Sequence, residues 1–295
     1  MSNFSKGVFF AISAYLLWGF LPLYWRLLAA INPVHILGFR VLFSLISVGL
    51  VLIISRNKYW LKFHKDKKTK NGMIVASLLV TFNWGVYIWA VNNGYTIEAA
   101  LGYYINPLIS IGIGLILFKE KLKLIQIVSF SLAILGVLVL TVLTGRLPWI
   151  SLCLAVTFAI YAVIKKTVNL SALESLGVET LIASPIGLFL LFTNFETGQR
   201  VHDYLFTLPL STMLILVLCG AATSFPLYLF AKGARILPMS TIGFIQFISP
   251  TITFLTGLFI FRESFPVQNF IAFGFIWSAA IIYIVSLKPS AKSQL

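Results

Sequence analysis

Ten apolar runs, each about 20 residues long and nearly free of charge, decide what this 295-residue chain can become. They lie at Lys6 to Leu27, Asn32 to Ile54, Gly72 to Asn93, Ile97 to Phe118 and Leu124 to Leu143. The rest lie at Pro148 to Ile164, Glu174 to Thr193, Ser211 to Ala231, Pro238 to Phe261 and Pro266 to Leu287. A helix needs roughly 20 such residues to cross the hydrocarbon core of a bilayer. The runs are continuously apolar and do not alternate, which excludes a β-barrel. Composition agrees. The chain is 59% hydrophobic and 10% charged, against about 45–50% and 25% in soluble domains. Eight acidic residues could not clothe a water-soluble surface, so soluble enzymes and disordered chains are excluded. The reading is an all-α, polytopic membrane protein of ten transmembrane helices. The first run has no A-x-A cleavage site after it and is expected to remain as an uncleaved span.

The net charge of +14 would suggest nucleic acid in a soluble protein. Here no nucleic acid is expected, because the cations sit in short connections. With the N-terminus placed inside, Lys6, the seven basic residues between Arg56 and Lys70, and Lys119, Lys121 and Lys123 fall on the inner side. So do Lys165, Lys166, Lys232, Arg235, Lys288 and Lys292. The outer side holds Arg26, Arg146, Arg200 and Arg262. The positive-inside rule then puts both termini in the cytoplasm. Cys153 and Cys219 lie within apolar runs and form no disulfide framework. The three histidines are scattered, no P-loop or G-x-G-x-x-G pattern occurs, and no metal or cofactor is expected.

An internal repeat organises the runs. Asn106-Pro107 in the fourth run is followed by Phe118-Lys119-Glu120, and Ser249-Pro250 in the ninth by Phe261-Arg262-Glu263. Both proline and glutamate recur at the same offset. The chain therefore reads as two five-span halves, residues 1–145 and 146–295. Five is odd, so the halves are inverted in the membrane. Inverted repeats are a transporter device, with substrate near the midplane at the repeat interface. Pro107 and Pro250 each remove a helical hydrogen bond. They read either as packing kinks or as hinges for alternating access.

This plan resembles the drug/metabolite transporter superfamily in its EamA-type branch. Asn83-Trp84, Tyr87 to Asn92 and Leu101 to Leu108, with Trp18-Gly19-Phe20 and Gly243 to Phe247, are similar to the RarD subgroup. The resemblance implies a bacterial inner-membrane permease. It gives a class and not a ligand.

The expected function is a secondary carrier, an exporter of small organic metabolites or drugs, and not an enzyme. A lipid-moving or scaffold protein is the alternative, and an intramembrane enzyme a weaker one for want of clustered acids or histidines. Arg40 is the strangest residue, a charge about 10 Å into the second span. Ser44 and Ser47 continue its face, so that face should look into the bundle. Arg40 either ties carbonyls of neighbouring helices together or binds an anionic group of the solute. Trp18, Asn83, Trp84, Tyr87, Tyr103, Asn106 and Gln246 are further substrate-binding candidates, since intramembrane amides turn inward and aromatic rings suit small amphipathic solutes. Trp60, Trp149 and Trp25 read instead as interface anchors. Glu179 reads as a helix-start acid or, if buried, as a carboxylate for proton or ion coupling. Glu98 reads as a cap. Glu120 and Glu263, at equivalent helix ends, read as fold residues that cap or pair at a tight turn.

Overall fold

The computed structural model describes residues 2–57, 63–92, 96–144, 149–192, 201, 205–262 and 269–286. In order, the helices are α1 (Asn3–Arg26), α2 (Pro33–Ile54), α3 (Lys67–Asn92), α4 (Thr96–Ile116) and α5 (Leu124–Thr144). The second half supplies α6 (Trp149–Thr167), α7 (Ala172–Phe192) and α8 (Leu210–Ile236). The ninth span is assembled from α9 (Met239–Gln246), α10 (Ile248–Leu255) and a π-helical turn (Thr256–Ile260), and α11 (Asn269–Ser286) is the tenth. Every apolar run of the sequence is thus a helical element. Among the described residues, seven of these are long and apolar enough to cross a membrane by length and composition. Large apolar side chains such as Ile53, Phe189, Phe192 and Ile116 are exposed around the bundle, as a lipid-facing surface requires.

Helix starts are set by short polar side chains. Ser2 Oγ accepts from Ser5 N at 3.1 Å. Asn32 Oδ1 accepts from Val34 N at 2.9 Å, with Pro33 at the first helical position. Asp66 accepts from Thr69 N at 3.0 Å and begins α3 five residues before its apolar run. The Thr69 hydroxyl also donates to Asp66, and these bonds hold its carboxyl below the usual carboxylate range. The eighth helix likewise runs five residues past its apolar stretch, to Ile236.

The two halves interlock. α2 packs on α7, α4 on α9, and α5 on α11, so each of these contacts pairs equivalent spans of the repeat. α1 packs on α8 and α10, and α6 on α3 and α4. Small residues permit the close crossings. A Cβ on Gly220 of α8 would stand 2.2 Å from the carbonyl carbon of Phe43 in α2. The same crossing carries Ser44 Oγ donating to Gly220 O at 3.1 Å and a Ser47–Ser224 hydroxyl contact at 3.3 Å. So the polar face of α2 does turn inward. The stripe Ser151, Ala155 and Ala159 is fully buried, with Gly102 of α4 set against Ser151.

The repeated aromatic-basic-Glu triplet has a geometric meaning. Lys119 and Arg262 both take a left-handed backbone, at φ 52 and 55. Each sits just past a helix end, where such a residue turns the chain. Glu120 then receives Met239 N at 2.7 Å, Ser240 N at 2.9 Å and Ser240 Oγ at 2.6 Å. It caps α9 across the repeat. Glu263 lies outside the described residues, as do Trp60 and the side chain of Glu98.

The two prolines behave differently. α4 continues through Pro107. The ninth span breaks at Phe247, three residues before Pro250, where Phe247 N reaches Phe244 O at 3.4 Å.

Candidate functional site

A cavity of about 160 Å³ opens among α1, α2, α3, α4, α6 and α8 and the broken ninth span. It lies in the half of the bundle where α1 and α3 end and α2, α4 and α6 begin. Its size suits a solute built on one aromatic ring, since an engineered apolar cavity of about 150 Å³ holds benzene. Every substrate-binding candidate from the sequence lines it: Trp18, Arg40, Asn83, Trp84, Tyr87, Tyr103, Asn106 and Gln246. Pro250 lines it as well, and Pro107 does not.

Arg40 is placed by the cap that starts α2 and by two indole rings. Its guanidinium carbon lies 4.5 Å from the Trp25 ring centre and 4.7 Å from that of Trp84. Its Nε donates to Thr223 Oγ1 of α8 at 3.2 Å. This corrects the idea that Arg40 ties helix carbonyls together, and the placing of Trp25 as an interface anchor. A guanidinium stacks well on aromatic faces and keeps its in-plane donors free. Among the described residues no acid lines the cavity, and the one ion pair is elsewhere. The site is therefore electropositive, with aromatic walls.

Other candidates are partly committed to the fold. Asn83 Nδ2 donates to Leu154 O and Thr157 Oγ1 of α6, both at 2.8 Å. Asn106 is buried and accepts from Ser110 Oγ at 3.5 Å. Tyr87 and Tyr103 meet edge to face with ring centres 5.6 Å apart. Tyr103 keeps 40% of its surface exposed, so this pair stands on the open side.

The closed side is an aromatic floor. Trp18 contacts Phe158 at 5.9 Å, Phe230 at 5.6 Å and Tyr15 at 5.2 Å. Tyr161 stacks on Phe230 at 6.2 Å beneath them. Glu179 lies beyond this floor and does not reach the cavity. It is buried, which corrects the reading of it as an interfacial helix-start acid. Lys165 Nζ donates to its Oε2 at 2.7 Å and the Tyr161 hydroxyl at 3.1 Å. The two charged side chains are 0% and 3% exposed. Lys165 is thus a buried partner, not a loop charge. Sequence reasoning missed it because it adjoins Lys166, which caps carbonyls of Ala234 and Leu237 at 3.2 and 2.5 Å. Tyr15 and Thr223 were missed too. The mid-span Tyr15-Trp18 pair at i, i+3 was the available signal for the first.

Comparison with known proteins agrees with this architecture. The sequence profile of the EamA-like transporter family matches the chain twice, over residues 5–142 and 147–285. An uncharacterized transporter of Bacillus subtilis, YojE, is 38% identical over 98% of both chains. Protein RarD of Streptomyces exfoliatus is 38% identical over 94% of this chain and 87% of its own. Protein RarD of Escherichia coli is 34% identical over 95% and 94%. A crystal structure with 17% identity superposes with a TM-score of 0.71, over 98% of this chain and 100% of that one. With two family matches end to end and relatives this similar along their whole length, the chain is a multi-pass membrane protein belonging to the EamA-like transporter family.

Proposed function

We propose that this protein is a secondary carrier that exports small organic anions with an aromatic or apolar body, by alternating access between its inverted halves. The carrying observation is Arg40. Among the described residues it is the one charge on an aromatic cavity wall, held by Thr223 and two indoles with no described acid beside it. A carboxylate arriving from water would meet a fixed bidentate donor in a place of low dielectric, where charge-assisted hydrogen bonds are strong. Trp18, Trp84 and Tyr87 supply flat apolar surface for the ring. Asn83 and Asn106 shape the wall. The cavity would face the outside of a bacterial inner membrane, with both termini in the cytoplasm. The charge bias of the connections supports that orientation. Pro250, beside the break at Phe247, and Pro107 serve as the flexible points of the cycle.

For coupling, Glu179 is the proposed proton acceptor. It is a buried acid on the closed side, one aromatic layer away from the solute, and its release from Lys165 would accompany opening there. An aromatic-walled cavity with a few convergent polar groups supports a solute carrier over a lipid-moving or scaffold protein.

The test is thermal stability of the purified protein with 3-phenylpropionate as probe. At 100 times its Kd, a ligand adds about 2.7 kcal/mol. Stabilisation is expected in the wild type and should vanish in Arg40→Gln, with unliganded stability little changed. No stabilisation, or stabilisation that survives Arg40→Gln, would remove the anion reading.

A further inference from the structure

Lys232 counts as a connection charge in the sequence, but the structure sets it inside α8, four residues before that helix ends. Its ammonium lies over two rings, 4.9 Å from the centre of Phe10 in α1 and 4.7 Å from that of Tyr228, one turn earlier in α8. Among the described residues it joins no ion pair. A ring face attracts the charge and leaves the N–H donors of the ammonium for an acceptor from elsewhere.

The crossing of α1 and α8 fixes this place. A Cβ on Gly233 would stand 3.1 Å from Ala11 N and 3.2 Å from Gly7 O, so Lys232 is level with the stretch of α1 between Gly7 and Ala11. Lys6 is exposed and precedes Phe10 by four residues. It therefore shares the face of that ring and stands one turn nearer the end of α1. The same side of α8 is turned to lipid. Leu214, Leu218 and Phe225 are exposed along one stripe, and Tyr228 and Lys232 continue it three and seven residues after Phe225.

We propose that Lys232 and Lys6, with the rings of Phe10 and Tyr228, bind one anionic phospholipid in the leaflet where α1 begins and α8 ends. Its phosphate sits at the two ammonium groups, and its acyl chains lie along the apolar stripe of α8. A zwitterionic lipid brings a cation of its own toward Lys6 and is the weaker ligand. Inorganic phosphate has the same oxygens but nothing to lay on the stripe. The bound phosphate bridges α1 to α8. Those two helices carry Trp18, Trp25 and Thr223 of the cavity wall, so the lipid braces the solute site from outside.

The experiment measures binding of dioleoyl-phosphatidylglycerol and dioleoyl-phosphatidylcholine to the purified full-length protein, by native mass spectrometry and melting temperature. The anionic lipid should bind the wild type roughly 20-fold tighter. One lysine near an anionic surface is worth roughly fivefold. Lys6→Gln, at an exposed position, should therefore cut the preference to about fourfold, and Lys6→Gln/Lys232→Gln should bring it close to one. Lys121→Gln/Lys123→Gln removes the same charge at the turn before α5, where both lysines are exposed, and should keep the full preference. No preference in the wild type would overturn the site. So would equal losses in the two double variants, which general attraction to a basic surface predicts. Stabilisation by inorganic phosphate equal to that by the anionic lipid would overturn the lipid as its occupant.

Discussion

Glu179 shows what one buried charge demands of another. Removing an ionised carboxylate from water is affordable only with a partner, and here Lys165 and the Tyr161 hydroxyl provide it. The same logic separates Glu179 from Arg40. Arg40 is half-buried, bonded to a hydroxyl and two ring faces, with no described acid beside it. Glu179 is closed in on its cation. Each of Lys165→Met and Glu179→Gln should therefore lower thermal stability, by about 3–5 kcal/mol where a buried charge is left alone. The double variant should recover most of the loss, since both charges are then gone. Additive losses in the double variant would show that the two residues act separately. The sequence marked Glu179 as unusual because an acid within an apolar run is expensive. It could not mark Lys165, since a lysine near a run's end is also the commonest topology signal.

At the scale of the helices, the period and length of the apolar runs made ten elements legible, while their ends were fixed by other physics. α3 begins at Lys67 because Asp66 caps it, and five polar residues, Lys67 to Asn71, then precede its apolar run. The ninth span reads as one apolar run, yet it breaks at Phe247 and ends in a π-helical turn. Nothing in hydropathy encodes a break, because both pieces are equally apolar. Pro250 is a signal for it, but Pro107 is the same signal inside an unbroken α4, so tertiary packing decides. α9 is held against α4 at Gly243, where a Cβ would lie 2.7 Å from Pro107 O. The crossing of α2 and α8 is tighter still. Gly220→Ala pushes a methyl group into the Phe43 backbone, and should lower stability by about 1–3 kcal/mol as the helices part. Gly112→Ala is the control, with no neighbouring atom within 4 Å. It should leave stability unchanged or raise it by up to about 1 kcal/mol. Equal effects of the two substitutions in a melting experiment would mean that the crossing is not close-packed in solution.

For the whole molecule, the repeat and the asymmetry within it belong together. Equivalent spans meet as α2 on α7, α4 on α9 and α5 on α11, yet the fourth span is one continuous helix and the ninth is broken. Two halves of one fold held in different shapes are what a carrier with inverted repeats needs, because exchanging the shapes moves the opening from one face to the other. The sequence made the repeat readable through its proline and glutamate spacing. It could not give the asymmetry, which on the proposed mechanism belongs to one state of a cycle and not to the chain. On this view the closed end must part during transport, and it contains a place to stop it. Gly72 in α3 and Val168 after α6 come from different halves, and a Cβ on Gly72 would stand 3.1 Å from a Val168 side-chain carbon. That spacing suits a disulfide. We expect Gly72→Cys/Val168→Cys, with Cys153 and Cys219 replaced, to hold this end shut when oxidised. A Thr253→Cys reporter on the cavity wall should then react with a membrane-impermeant maleimide from one face of the membrane only. Reduction should restore reactivity from the second face. Labelling of the oxidised protein from both faces would mean that solute reaches the cavity without parting this end, and the two halves would need no exchange of shape.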